Sequence, residues 1–298
     1  MRGISAALGA FVLWGVAPIY FKWISHISPL EVISHRIIWS VIFVLTLVVL
    51  TQKTAQFVAI FKDRRRLTVF AATTIIIGGN WLVFIWAIAN DRILEASLGY
   101  YINPLVNILL GMIFLQERLN RWQTVSVLLA VAAVAMLTIQ AGYLPWVSLF
   151  LAFSFGFYAL LRKQTQVDSA VGLAVETSLL FPFALGFLLY ITFTPIEAPL
   201  APGTITKGFD HELLSMLLLI GTGIVTAMPL MLFATAARYL KLTTIGIMQY
   251  LAPTMHVVIA VYIYNEPFDE SRLFAFGLIW IGLIIYSIDG YRNRKRAS

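Results

Sequence analysis

The chain has 298 residues, 60% of them hydrophobic and only 12% charged, with a formal net charge of +7. Soluble domains carry about a quarter charged residues, so too few are present to cover a water-facing surface. Cys is absent, which excludes disulfides and thiolate metal sites. The basic residues sit in short loops and a tail rather than in an aromatic-interleaved patch, so nucleic acid is not an expected partner.

Apolar runs of about 20 residues between short polar gaps are the pattern of membrane-spanning helices. Ten such spans can be marked, at 4–22, 31–50, 69–89, 95–115, 122–139, 145–161, 172–193, 213–233, 243–264 and 272–289. None alternates with period 2, which excludes a membrane barrel. The first run follows Arg2 as a signal peptide would, but it ends at Phe21, Lys22 and Trp23 with no small-residue cleavage site and reads as a span. Sixteen Lys and Arg fall on one side of these spans; five (Lys22, Arg36, Arg92, Lys207 and Arg272) fall on the other. The positive-inside rule then places both termini in the cytoplasm. The longest loop on the outer side, 194–212, needs no role beyond connection.

The chain repeats itself. Tyr101, Pro104 and Glu117 recur as Tyr250, Pro253 and Glu266, each 149 residues on, half the chain length. Two units of five spans follow, 1–140 and 141–298, and an odd number makes the second enter the membrane from the opposite side. Inverted repeats are a recurring transporter architecture, with substrate bound near the midplane beside helices interrupted by Gly or Pro. Pro18, Gly79, Pro104, Pro229 and Pro253 are the expected interruptions and hinges. The fifth and tenth spans hold few polar groups and are expected to form an outer scaffold. Glu117 and Glu266 are expected to cap the helix that follows or to fix its loop.

The stretches LWGVAP (13–18), EVISHRIIW (31–39), GNW (79–81), LEASLGYYINPL (94–105) and QYLAP (249–253) resemble the RarD-type permeases of the EamA branch of the drug/metabolite transporter superfamily. The likeness runs from about residue 4 to residue 289. It implies an all-α polytopic fold of ten transmembrane helices in two inverted EamA repeats, a bacterial inner-membrane location and small-molecule transport. RarD proteins are named for an association with chloramphenicol sensitivity, and other members of the superfamily export amino acids and further metabolites.

Polar and aromatic residues on the spans that line the pathway in this family are the candidate substrate contacts: Trp14, Tyr20, Asn80, Trp81, Tyr100, Tyr101, Asn103, Asn107, Tyr158, Gln249, Tyr250 and His256. Asn107 and His256 correspond across the repeat. Ionisable groups inside spans are costly and default to a functional reading. Arg36 on the second span and Glu176 on the seventh occupy similar depths from opposite faces, so they are expected to hold the repeats together or gate the pathway. His35 is a candidate proton acceptor and can meet Glu31 on one helical face. Glu95, Lys22 and Glu31 read as helix-end or surface charges.

No HExxH, GxSxG, Walker loop or filter sequence is present, which argues against an enzyme, an ATP-driven pump or a channel. No cofactor or metal is expected. The expectation is a carrier for amino-acid-like or amphenicol-like compounds, with export favoured, the bilayer and a small solute as partners, and the proton as a candidate coupling ion. The competing reading is a membrane-embedded protein that does not transport.

Overall fold

The structure, a computed structural model, describes residues 2–90, 92–142, 146–194, 203–263 and 270–297. It is all helical: α1 Arg2–Trp23, α2 Pro29–Leu50, α3 Thr54–Lys62, α4 Arg64–Ala89, α5 Ile93–Leu115, α6 Arg121–Ala141, α7 Trp146–Gln164, α8 Ser169–Phe193, α9 Leu213–Tyr239, α10 Leu242–Gln249, α11 Leu251–Tyr262 and α12 Glu270–Ala297. Ten spans are long and apolar enough to cross a membrane, with α10 and α11 together forming the ninth. Large apolar side chains point outward along them, among them Ile75, Ile139, Phe183 and Phe193. In water these would be a liability; in lipid they are the expected surface.

The expected interruptions are corrected in four places of five. Pro18, Pro104 and Pro229 lie inside continuous helices, as does Gly79. Only the ninth span breaks, at Tyr250, just before Pro253. Pro253 cannot donate to the carbonyl of Gln249, and its ring crowds that turn. The short amphipathic helix α3, which carries Phe57 and Phe61, was not foreseen; it packs on α4 and α8.

The main helix contacts obey the repeat. The second span meets its counterpart (α2 with α8), as do the fourth (α5 with α10) and the fifth (α6 with α12). The others come in related pairs: α5–α7 with α1–α11, α4–α7 with α1–α9, and α2–α9 with α4–α8. Each of these joins one half to the other, so the halves interlock instead of forming two separate bundles. Close approach needs small residues. A methyl group on Gly223 of α9 would overlap the Trp39 backbone of α2, and Ser40 Oγ donates to the Gly223 carbonyl at 3.1 Å. As expected, α6 and α12 pair at the edge, away from the cavity described below.

Gly3 and Asp289, near the two ends of the described chain, lie on one face, where Gly3 abuts Tyr239 and Leu240 and Asn120 donates to Asp289 at 2.6 Å. Glu117 lies there too. Its carboxylate accepts from the first amides of α10, Leu242 N at 2.7 Å and Thr243 N at 2.8 Å. It therefore caps a helix of the other repeat, not the one that follows; α6 is capped by its own Asn120–Gln123 box. Glu266 is outside the described residues. Lys163 Nζ ties α7 to the end of α9 through the Ala237 carbonyl at 3.1 Å and that of Leu240. Lys53 meets Asp168, the N-cap of α8, at 2.7 Å.

The opposite face holds a second correction. Loop residues 203–212 do more than connect. Ile205 exchanges backbone hydrogen bonds with the α1–α2 turn, Ser28 N to Ile205 O at 2.9 Å and Ile205 N to His26 O at 2.8 Å. Glu31, fully buried, accepts from His211 Nε2 at 2.7 Å and from Lys207 N at 3.2 Å. Glu31 is thus a helix-end charge in the first turn of α2, as expected, but a buried one that anchors this strap and not a surface charge. Glu95 is likewise buried, with Arg92 at 3.3 Å from one oxygen.

Candidate functional site

Where α1, α4, α5, α7 and the α10–α11 break converge, a cavity of about 80 Å³ opens. Of the twelve expected contacts, Trp14, Asn80, Tyr100, Asn103, Gln249 and His256 line it, joined by Pro253. Sequence reasoning missed Leu151 and Phe155 of α7 and the small residues Ala96, Gly99 and Ala252, which give the cavity its apolar walls and its space. No charge pattern marks them; only the packing of α5 on α7 brings them there.

Each polar lining group is held by a specific partner. Asn80 Nδ2 donates to the Leu151 carbonyl at 3.0 Å and to Ser154 Oγ at 2.8 Å. Because that carbonyl only accepts, the amide orientation is fixed, and Oδ1 is left as an acceptor without a donor among the described residues. His256 Nε2 lies 3.0 Å from the Trp14 carbonyl, so this nitrogen donates and Nδ1 keeps its lone pair. The partner is not arbitrary: Pro18 has no N–H to give the carbonyl four residues earlier, and that carbonyl is Trp14's. The proline thus supplies an acceptor for His256, not a kink. Tyr100 meets His256 edge to face, with centroids 6.4 Å apart. Asn103 and Gln249 belong to a buried amide network with Asn107, in which Asn107 Nδ2 donates to Gln249 Oε1 at 2.7 Å and Asn103 Nδ2 to the Ala152 carbonyl at 2.8 Å.

The other expected contacts lie elsewhere. Asn107 is buried behind the lining in that network, so the repeat partners Asn107 and His256 do not face one space. Tyr158 is sealed in the core and donates to Glu176 Oε2 at 3.1 Å. Tyr250 donates to the Tyr101 carbonyl at 3.1 Å, and both pack toward α6 and α12. The Tyr20 hydroxyl is spent on the Leu218 carbonyl at 2.5 Å. Trp81 faces Arg36.

The residues expected to gate or couple transport form three separate sites. Glu176 accepts from Thr73 Oγ1 at 2.7 Å and lies 3.7 Å from Arg162 Nη1, with both charged side chains 2% exposed. Arg162, at the end of α7, reads from sequence as a loop cation and is instead the counter-charge of Glu176. It fits because Gly172 leaves room for its guanidinium. Arg36 donates from Nε to Thr226 Oγ1 at 2.8 Å and stands over the rings of Phe21 (5.1 Å) and Trp81 (5.5 Å). Arg36–Thr226 and Glu176–Thr73 occupy matching interfaces, α2–α9 and α8–α4, so the repeat relation of the two charges holds although neither touches the other. His35 does not meet Glu31. It accepts from Trp39 Nε1 at its Nδ1 (3.2 Å), so its Nε2 donates to the Gly208 carbonyl at 2.9 Å. Both nitrogens are used in the neutral ring, which removes the basis for a proton acceptor there.

Comparison with known proteins places this geometry. The EamA-like transporter family model matches residues 1–139 and again 144–288. The chain is 41% identical over 291 residues to an uncharacterized transporter of Vibrio cholerae, covering 98% of this chain and 93% of that protein. It is 41% identical over 297 residues to Protein RarD of Salmonella typhimurium, covering 99% and 98%. A crystal structure at 16% identity superposes with a TM-score of 0.70 over 97% of this chain and 98% of its own, which shows the same fold. The relatives of this chain are transporters rather than enzymes, and the two matches in tandem follow its two halves: the chain belongs to the EamA-like transporter family.

Proposed function

We propose that the chain is a secondary carrier of a small organic solute, working by alternating access across a bacterial inner membrane with both termini in the cytoplasm. The observation that carries this reading is the cavity itself. It lies where both repeats meet, it is mostly apolar, and it offers two unspent acceptors, Asn80 Oδ1 and His256 Nδ1. A site with apolar walls and a few oriented polar groups suits a small organic molecule. At about 80 Å³ it falls short of the roughly 300–1,000 Å³ of drug-sized sites, so admitting a whole solute requires the helices to part, as a carrier's must. The Pro253 break and the polar ties at both faces are the parts to move. The charge asymmetry of the loops supports cytoplasmic termini. Export follows the family resemblance. Amino acids and amphenicols remain the first solutes to try, since one relative, from Pseudomonas aeruginosa, is named a chloramphenicol-sensitive RarD.

The test is radiolabel flux into proteoliposomes of purified protein, with and without an imposed pH gradient. Asn80→Ala and His256→Ala are each expected to cut flux of the transported compound at least tenfold while leaving insertion intact. Full flux in both variants would remove this cavity from the pathway.

A further inference from the structure

Among the described residues, the buried carboxylates inside the spans are each held by a cation or by hydrogen-bond donors, whereas one half-buried cation keeps donors free. Glu176 has Arg162 and Glu95 has Arg92, while Glu31 accepts hydrogen bonds from His211 and the Lys207 amide and Asp289 accepts one from Asn120. Lys163 is taken up by carbonyls at the end of α9 in its own half, and Glu117 by the first amides of α10 in the other half. Arg36 has no carboxylate within 4.0 Å. Its Nε is used by Thr226, but Nη1 and Nη2 have no hydrogen-bond partner among the described residues, and neither is among the sealed polar atoms. The side chain is half-buried, and its free edge is not sealed by protein.

An arginine left this way is costly in a low-dielectric interior unless something supplies the missing charge. Its surroundings hold it in place without neutralising it. Phe21 and Trp81 wall the guanidinium on two sides, and Thr226 fixes its rotation. What remains is a planar fork with four N–H donors, the arrangement that grips a carboxylate through two parallel hydrogen bonds. The fork lies behind the cavity wall at α4, where Trp81, which faces the guanidinium, follows the lining residue Asn80.

Resting on the carrier reading, we infer that Arg36 recognises the solute and that the solute carries a carboxylate. A single cation with no second beside it matches one negative charge and not a dianion. The free acceptors Asn80 Oδ1 and His256 Nδ1 suit an amino or hydroxyl group on the same molecule. A neutral amphenicol leaves the fork unmatched, and an organic cation is repelled by it.

The test reads binding on full-length detergent-purified protein, by the shift in melting temperature and by tryptophan fluorescence, to which Trp81 contributes. The probes are an aromatic and an aliphatic carbon frame, each as the 2-oxo acid, the amino acid and the amino-acid amide, with chloramphenicol as the neutral comparison. Acids of at least one frame are expected to stabilise the wild type at concentrations about tenfold below the matching amide, the factor for one strong polar contact. Arg36→Gln is expected to abolish that preference and Arg36→Lys, which keeps the charge but not the fork, to reduce it. Should Arg36→Gln not fold, the wild-type comparison of acid with amide decides. Stabilisation by the amide or chloramphenicol alone, an acid preference that survives Arg36→Gln, or no response to any acid of either frame would overturn the inference. Binding and flux separate the two readings. Acid binding without flux sinks the carrier and leaves Arg36's role; flux of a neutral compound untouched by Arg36→Gln does the reverse.

Discussion

Tyr100 and Tyr101 are neighbours in sequence with the same chemistry, yet one lines the cavity and the other packs toward α12. Adjacent residues on a helix point about 100° apart, and sequence alone does not fix the rotation of a helix that is apolar all round. That is why Asn80 and His256, polar at mid-span, were legible as residues of the cavity wall while Tyr158 and Tyr250 lie away from it. Arg162 was hidden for the related reason that a cation at a span boundary looks solvated until Gly172 and Glu176 are seen beside it. Two outcomes are expected at this scale. Glu117→Gln keeps the shape of the α10 cap but loses its charge, and should cost about 1 kcal/mol, read as a lower melting temperature in detergent; an unchanged melting temperature would mean that the cap contributes nothing. Asp168 responds to pH. Burial pushes its carboxyl up, but the hydrogen bond and charge of Lys53 and the amides of Val171 and Ala170 outweigh that, holding it below the ordinary 3.8. Its contribution is complete above that ordinary value and is lost as pH falls through the depressed one. Wild type and Asp168→Asn melting temperatures should therefore differ most at neutral pH and converge on strong acidification.

The spans were legible as elements because ten apolar runs of membrane-crossing length leave little choice of secondary structure. What each proline does was not legible, since the outcome depends on what meets the freed carbonyl. At Pro18 that partner is His256 and the helix continues; at Pro253 the helix breaks beside the cavity. The strap at 203–212 escaped notice because its anchors, Glu31 and His35, lie 173 or more residues away from the atoms they hold. Close packing of α2 on α9 gives the element-scale prediction. Gly223→Ala puts a methyl into the Trp39 backbone, and forcing the helices apart should cost roughly 1–3 kcal/mol. Thermal unfolding of that variant should show the loss, whereas Gly186→Ala on α8, where an added methyl meets nothing, should be neutral.

In the whole molecule, the 149-residue register carried the architecture: two family matches and a paired contact pattern follow the same division. The interlocking of the halves did not show in the sequence, because a repeat says what corresponds and not what touches. It matters for function. With the main contacts running between the repeats, a small rotation of one set of helices against the other changes both faces at once, which is how one cavity can serve two sides in turn. The absence of native Cys makes this directly measurable with a single Asn80→Cys variant at the cavity wall, labelled by a membrane-impermeant thiol reagent in vesicles of known sidedness. Alternating access predicts labelling of the same residue from either side of the membrane. Labelling from one side alone would contradict the carrier and leave a pocket that opens to a single compartment.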